Sequence, residues 1–254
     1  MQNSAFKKII TALVAVCLLA VAAFSGWQVY LILHASSTAK SAYSEIAQKA
    51  APEQQPKEEN TPVDPLQRAF DWKTLQSDYP GIVAWLSDPN GDLDYPIMQA
   101  KDNDYYLNHL PDGTVNNHGS LFLDYEGSAA FADWNNIVYG HNMKDGTMLA
   151  SLLNYQKQEY YEQHQSLILY TPSGNFTLPV LSGYVTTAVS DAYQQGGTEQ
   201  DHAAWLKKIR ERSAFTAASG STAEPKVLTL STCINGTDNS DKRFVLHLGL
   251  IAAP

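Results

Sequence analysis

The chain of 254 residues carries 17 Lys and Arg against 26 Asp and Glu, a formal net charge of -9 that offers little attraction to a phosphate backbone, so no nucleic-acid partner is expected. Hydrophobic residues make up 44% and aromatic residues 11%, enough apolar surface for a real core, which excludes a disordered chain. The length suits one medium domain with appendages.

In chain order, the first element is an apolar run: residues 9–33 contain no formal charge and are mostly Ala, Val, Leu and Ile. As a helix rising about 1.5 Å per residue, they cover the ~30 Å hydrocarbon core of a bilayer with room for tilt. A secretory signal core is only ~7–15 residues long, so a retained transmembrane signal-anchor is expected rather than a cleaved peptide. Lys7 and Lys8 precede the run. The positive-inside rule therefore puts residues 1–8 in the cytoplasm and everything after Leu33 outside, as in a single-pass plasma-membrane protein. Trp27 and Tyr30 sit near the outer end, where interfacial aromatics belong.

Residues 34–63 are rich in Ser, Ala, Lys, Glu, Gln and Pro, with too few large apolar groups for a core, and are expected to form an extracellular stalk. Part of this segment favours helix, but Pro52, Pro56 and Pro62 interrupt any long run. Residues 64–254 are left to form the folded domain.

That domain opens with Asp64-Pro65 before LQRAFDWKTLQ, a capping Asp and an N-terminal Pro that predict a short helix. Beyond it, apolar stretches recur between turn signals: IVAWL, YPIMQ, SLFLD, NIVYG, SLILYT, FTLPVLSGYV, KVLTLSTC and RFVLHLGLI. These read as strands, and PSGN at 172–175 separates two of them as a hairpin would. The fold class is mostly β with peripheral helices (α+β), as a barrel or sandwich. Two helical interruptions are expected, at TMLASLLNY and over residues 198–215, where Trp205, Leu206 and Ile209 form a stripe that reads as core packing.

There are two cysteines: Cys17 lies inside the apolar run and Cys233 in the external domain, so they cannot pair. A lone external thiol is either buried inertly or used. Cys233 ends KVLTLSTC and is followed by the polar stretch INGTDNSDK, which puts it at a strand end with open space beyond it. A structural Cys would sooner lie within the apolar run than at its rim.

Seven histidines could serve it as a base. His34 adjoins the membrane, His164 and His202 lie in polar helical contexts, and His247 alternates within the last strand. His109 and His118 flank a loop rich in Pro, Gly and Asn. His141 follows NIVYG directly and so projects from a strand end, as Cys233 does. Arg243 begins the last strand ten positions after Cys233. If the two strands pair as a hairpin, it returns to the same end and can hydrogen-bond a developing oxyanion; otherwise it is an ordinary surface arginine. No metal constellation is apparent and no cofactor is expected.

TLSTC with Arg243 ten residues on and YGHNM upstream resembles the sortases, cysteine transpeptidases of Gram-positive bacteria, and in particular class B. DYPIMQAKDNDYYLNH, GSLFLDYEG and NNIVYGHNMKDGTMLASLL are similar to class B segments in the same order, so the resemblance covers roughly residues 64–251. The helix expected over 198–215 resembles the helical insertion before the Cys strand of that class. The resemblance implies a closed β-barrel, a membrane anchor, and cleavage of a C-terminal sorting motif after Thr in secreted proteins. It makes Cys233 the nucleophile, His141 the acid and base, and Arg243 the oxyanion partner. The thioacyl enzyme would pass its acyl group to an amine of a cell-wall peptide or a pilin subunit. By matched segments, Asn103, Leu107, Tyr139 and Ser231 fall where similar enzymes line the motif groove; packing and turn capping are their ordinary alternatives. A hydrolytic cysteine peptidase acting on wall peptides would use the same Cys and His, and in a membrane-tethered binding module Cys233 would be structural.

Overall fold

The fold is described from a computed structural model covering residues 2–50, 64–91, 93–218, 225–234 and 241–253. The chain divides into two units, Met1–Ser41 and Ala42–Pro254. The first is helical throughout its described length, as part of α1 (Gln2–Ala50). Leu13, Leu19, Phe24, Trp27 and Leu31 are all exposed, and by length and composition this is a helix apolar enough to cross a membrane.

The second unit begins with the last residues of α1, within the segment expected as the stalk, part of which favours helix. Residues 42–50 are helical, and Ile46 and Ala50, four apart on one face, are buried with Leu75 and Trp85. The Tyr43 hydroxyl donates to the Gly119 carbonyl at 2.5 Å. The remainder of the expected stalk, residues 51–63, lies outside the described residues. The single helix expected after Asp64 is two elements. Asp64 caps a 3-10 turn, Pro65–Gln67, and Asp71 starts α2 (Trp72–Asp78) by accepting the Thr74 N–H at 3.0 Å.

Strands β1 (Ile82–Ser87) and β2 (Asp94–Met98) form a hairpin. A long connection with a 3-10 turn at Tyr105–Leu107 leads to β3 (Leu121–Leu123) and β4 (Asn135–Tyr139). TMLASLLNY is helical as a 3-10 segment, Ala150–Gln156, followed by α3 (Gln158–Gln163). Then come β5 (Ser166–Thr171) and β6 (Gly174–Thr187), joined at the expected PSGN turn. A 3-10 turn, Asp191–Tyr193, precedes α4 (Glu199–Glu211). Last are β7 (Lys226–Cys233) and β8 (Lys242–Ala252). The sheet closes in the order β1-β2-β3-β4-β7-β8-β6-β5, with β5 pairing back to β1.

Two of these pairings are parallel, β2 with β3 and β4 with β7. The second matters most for the site, because it brings the carboxyl ends of β4 and β7 to one rim with Tyr139 opposite Ser231. β8 runs antiparallel to β7 and sets Arg243 opposite Cys233.

The strands alternate, but both faces are covered. Leu228, Leu230, Phe244, Leu246 and Leu248 fill the barrel, while Val227, Val245 and Tyr184 pack outward under Trp205, Leu206 and Ile209 of α4. The stripe is core packing, and each of these side chains stabilises the fold by about 1.5–3 kcal/mol if fully buried. The helix is shorter than expected, with Thr198 and Asp201 forming a reciprocal capping box at its start.

His247 lies fully buried on the outward face of β8, with Nδ1 2.8 Å from Thr229 Oγ1 and Nε2 3.2 Å from the Tyr184 hydroxyl. Burial, with help from Arg212, pushes its imidazole down to about 3 from the ordinary 6.5. The unfolded chain therefore binds a proton that the native state refuses between those values, so stability falls as pH drops from 6.5 towards 3. We expect this residue to contribute a slope of up to about 1.4 kcal/mol per pH unit. Denaturant titration of wild type and His247→Gln at pH 7 down to pH 5 checks it: the variant should be less stable at neutral pH and lose less on acidification.

Candidate active site

At the rim where β4 and β7 end, a cleft of about 450 Å³ is lined by Asn103, Leu107, Tyr139, His141, Ser231, Cys233 and Arg243, so all seven residues singled out in the sequence meet there. Cys233 is half-buried at the end of β7, as its position in KVLTLSTC predicts.

The strand ends are tied together by side chains as well as by the sheet. Thr232 Oγ1 donates to the Gly140 carbonyl at 2.8 Å, and Asn142 Nδ2 donates to the carbonyls of Cys233 and Ile234, each at 3.0 Å. These bonds fix the loop that carries His141 against the strand that carries the thiol.

His141 Nε2 lies 2.8 Å from the Leu107 carbonyl oxygen. A carbonyl only accepts, so Nε2 bears the proton, and in the neutral ring Nδ1 is the nitrogen able to take one. The acceptor is itself held by a tight packing arrangement. Gly119 has φ +56, and a Cβ there would come within 2.4 Å of the Tyr106 oxygen and 2.6 Å of the Leu107 oxygen. A side chain at that position would therefore displace the carbonyl that orients the imidazole.

The other histidines are engaged elsewhere. His109 stacks on Tyr105 with centroids 4.0 Å apart, and buried His118 faces Asp145 at 3.3 Å. His164 pairs with Asp88 at 2.9 Å, and His202 meets the Pro225 carbonyl at 3.1 Å. His34 lies on α1 beside Thr38.

Of the remaining groove residues, two are bound to a carboxylate that sequence reasoning missed. Asp124, buried, accepts from Asn103 Nδ2 and from the Tyr139 hydroxyl, each at 3.0 Å. Burial, together with that carboxylate, drives the Tyr139 phenol well above its ordinary range. Leu107 contributes its carbonyl as well as its partly buried side chain. Ser231 is buried and hydrogen-bonds through Oγ to the Tyr193 hydroxyl at 2.9 Å. Tyr193 also lines the cleft, on the Asp191–Tyr193 turn, and no local pattern in AYQQGG points to it. Asn142 was the one missed residue with a signal, its place next to His141. Arg243 lines the cleft, and its Nη1 donates to the Lys242 carbonyl at 3.1 Å. Among the described residues, no group of three or more His, Cys, Asp or Glu is arranged to hold a metal ion.

No family model matches the chain. It is similar to sortase B of Listeria monocytogenes, with 33% identity over 182 residues, 70% of this chain and 73% of the relative. Among solved structures, sortase B of Bacillus anthracis in complex with AAEK1 superposes with a TM-score of 0.73 at 31% identity, over 87% of this chain and 100% of the other. A Staphylococcus aureus sortase B-substrate complex superposes with a TM-score of 0.74 at 26% identity, over 86% and 99%. With this identity over most of both sequences and the same closed barrel, the chain belongs to the class B sortases and is a cysteine transpeptidase.

Proposed function

We propose that Cys233 is the nucleophile, His141 the general acid and base, and Arg243 the oxyanion partner in cleavage of a C-terminal sorting motif after Thr in secreted proteins. The observation that carries this reading is the register pairing of Cys233 with Arg243 in a cleft that also holds His141. The Cys233 thiol gives its proton to His141 Nδ1 as the sulfur attacks the Thr carbonyl carbon, and Arg243 hydrogen-bonds the oxygen as its negative charge develops. The C–N bond then breaks while His141 protonates the leaving amine through Nδ1. An incoming amine of a cell-wall peptide or pilin subunit attacks the thioester, His141 takes its proton, and the amide forms as sulfur leaves. Asn103, Leu107, Tyr139 and Ser231 line the groove for the motif. Since Asp124 and Tyr193 already hydrogen-bond three of these, they present a preformed wall rather than free polar groups.

The test is mass spectrometry of the full chain in detergent with a panel of Thr-containing pentapeptides, with and without triglycine. A thioacyl adduct on Cys233 and an amide product that needs the amine are expected. Release of free acid alone, unaffected by amine, would instead identify a hydrolase. His141→Ala should abolish the adduct while His109→Ala retains it.

Arg243 is asked for geometry as well as charge, since its planar fork can present two donors where lysine presents a point charge. Losing an oxyanion donor costs ~10²–10³ in rate, about 2.7–4 kcal/mol, so Arg243→Lys should acylate that much more slowly with peptide binding weakened less. Rapid-quench acylation rates check this; near-normal rates would leave the oxyanion to backbone N–H groups beside Cys233.

The same proposal places residues 9–33 across the plasma membrane, with the N-terminus in the cytoplasm and the domain at 64–254 outside, supported by the apolar helix and by Lys7 and Lys8 ahead of it. Protease added outside intact cells should then release a fragment carrying Cys233. Protection of that fragment until the cells are lysed would reverse the orientation.

A further inference from the structure

Tyr193 reaches the cleft from a short connection between β6 and α4, and what holds that connection lies well away from the reacting atoms. Its hydroxyl meets Ser231 Oγ at 2.9 Å, and its ring lies 6.4 Å from that of Tyr139 at an interplanar angle of 28°. On the outer side, the Asp191 carboxylate is held by Arg212 and Lys208 of the α4 region, and Trp205 Nε1 donates to the Asp191 carbonyl at 2.7 Å. On the inner side, the turn is held by one fully buried residue of β4. Asn135 Nδ2 donates to the carbonyls of Ala192 and Gln194, each at 3.1 Å, so it grips the residues on either side of Tyr193.

The direction of every bond behind Asn135 follows from those two. With Nδ2 facing carbonyls, its Oδ1 is the acceptor of the Thr229 hydroxyl at 2.5 Å. Having given its proton to Asn135, Thr229 Oγ1 accepts from His247 Nδ1–H at 2.8 Å. His247 Nε2 is left to accept from the Tyr184 hydroxyl at 3.2 Å. The chain Tyr184, His247, Thr229, Asn135 thus has a single orientation, and all four members are buried. A buried polar network satisfied in one arrangement specifies that arrangement, because any other leaves a donor or acceptor unpaired.

We propose that Asn135, oriented by Thr229 and His247, is a positioning residue that sets Tyr193 as a wall of the peptide groove. Asn135 does not line the cleft; it acts through the turn. This rests on the reading of the cleft as the acylation site.

The isosteric Asn135→Asp removes both N–H donors and turns an oxygen towards two carbonyls while keeping an acceptor for Thr229. The full chain in detergent is assayed with the pentapeptide best turned over in the panel above and triglycine as acceptor. Asn135→Asp should raise the peptide KM about tenfold and change kcat less than twofold, since a displaced wall loses binding common to ground and transition states. In a double-mutant cycle, Asn135→Asp on top of Tyr193→Ala should add nothing to the effect of Tyr193→Ala alone. Additive effects, or an unchanged KM in folded Asn135→Asp, would overturn the proposal. So would an impaired Asn135→Asp beside a normal Tyr193→Ala. If Asn135→Asp does not fold, Thr229→Val should raise KM and Thr229→Ser restore it; a folded Thr229→Val with wild-type KM is equally decisive against. Wild-type acylation of Cys233 reports separately on the reading of the cleft itself.

Discussion

The parallel pairing of β4 with β7 is the constraint on which the site depends. Strands 92 positions apart at their paired residues Asn136 and Leu228 would be indifferent neighbours in sequence terms, yet their register decides the chemistry. With Tyr139 beside Ser231, β4 leaves the sheet there while β7 runs on two residues to Cys233 at the same rim, where β8 places Arg243 opposite it. A slip of one residue would turn Cys233 and its neighbours to the opposite face of the sheet. Such a slip is resisted because both faces are buried: Leu228 and Leu230 belong inside the barrel, and Val227 under α4.

Around that register, among the described residues, neutral hydrogen bonds from Thr232 and Asn142 and to the Leu107 carbonyl hold the thiol strand and the imidazole. The orienter of His141 is thus a backbone carbonyl, not a carboxylate, and it fixes which ring nitrogen carries the proton. The carboxylate that is present, Asp124, serves the groove through Asn103 and Tyr139 instead.

Much of this was legible in sequence. The eight strand-like runs, the turn at PSGN and the rim positions of Cys233, His141 and Arg243 are local features, carried by alternation, turn chemistry and the change from apolar to polar at a strand end. Strand order is not local. The pattern of KVLTLSTC reveals a strand but not that NNIVY is its parallel neighbour, since both are buried on both faces and neither presents a solvent-facing side to set its orientation. Tyr193, Asp124 and Asn135 were invisible for the same reason: their roles arise only when distant segments are brought together, and each sits in a stretch whose composition is ordinary. The packing of helical residues 42–50 was faint in sequence for a different reason. Only Ile46 is a large aliphatic there, and one such side chain is too faint a stripe to separate a docked helix from a linker, although a small Ala50 completes the contact. The division after Asp64 turned on Asp71, a second cap inside what read as one helix.

The closure of the barrel through β1 and β5 has a consequence for how any peptide can be held. Many peptide-binding domains grip an extended ligand by β-augmentation, adding it as one more strand to an open sheet edge, where main-chain bonds give affinity almost regardless of side chains. A closed sheet has no such edge to lend. A peptide entering this cleft must be held by loops and side chains at the rim, so its affinity comes largely from the identity of its residues. For an enzyme facing a crowd of extended chains, that makes the absence of an edge a source of selectivity, because a peptide with the wrong side chains finds no generic backbone grip to compensate.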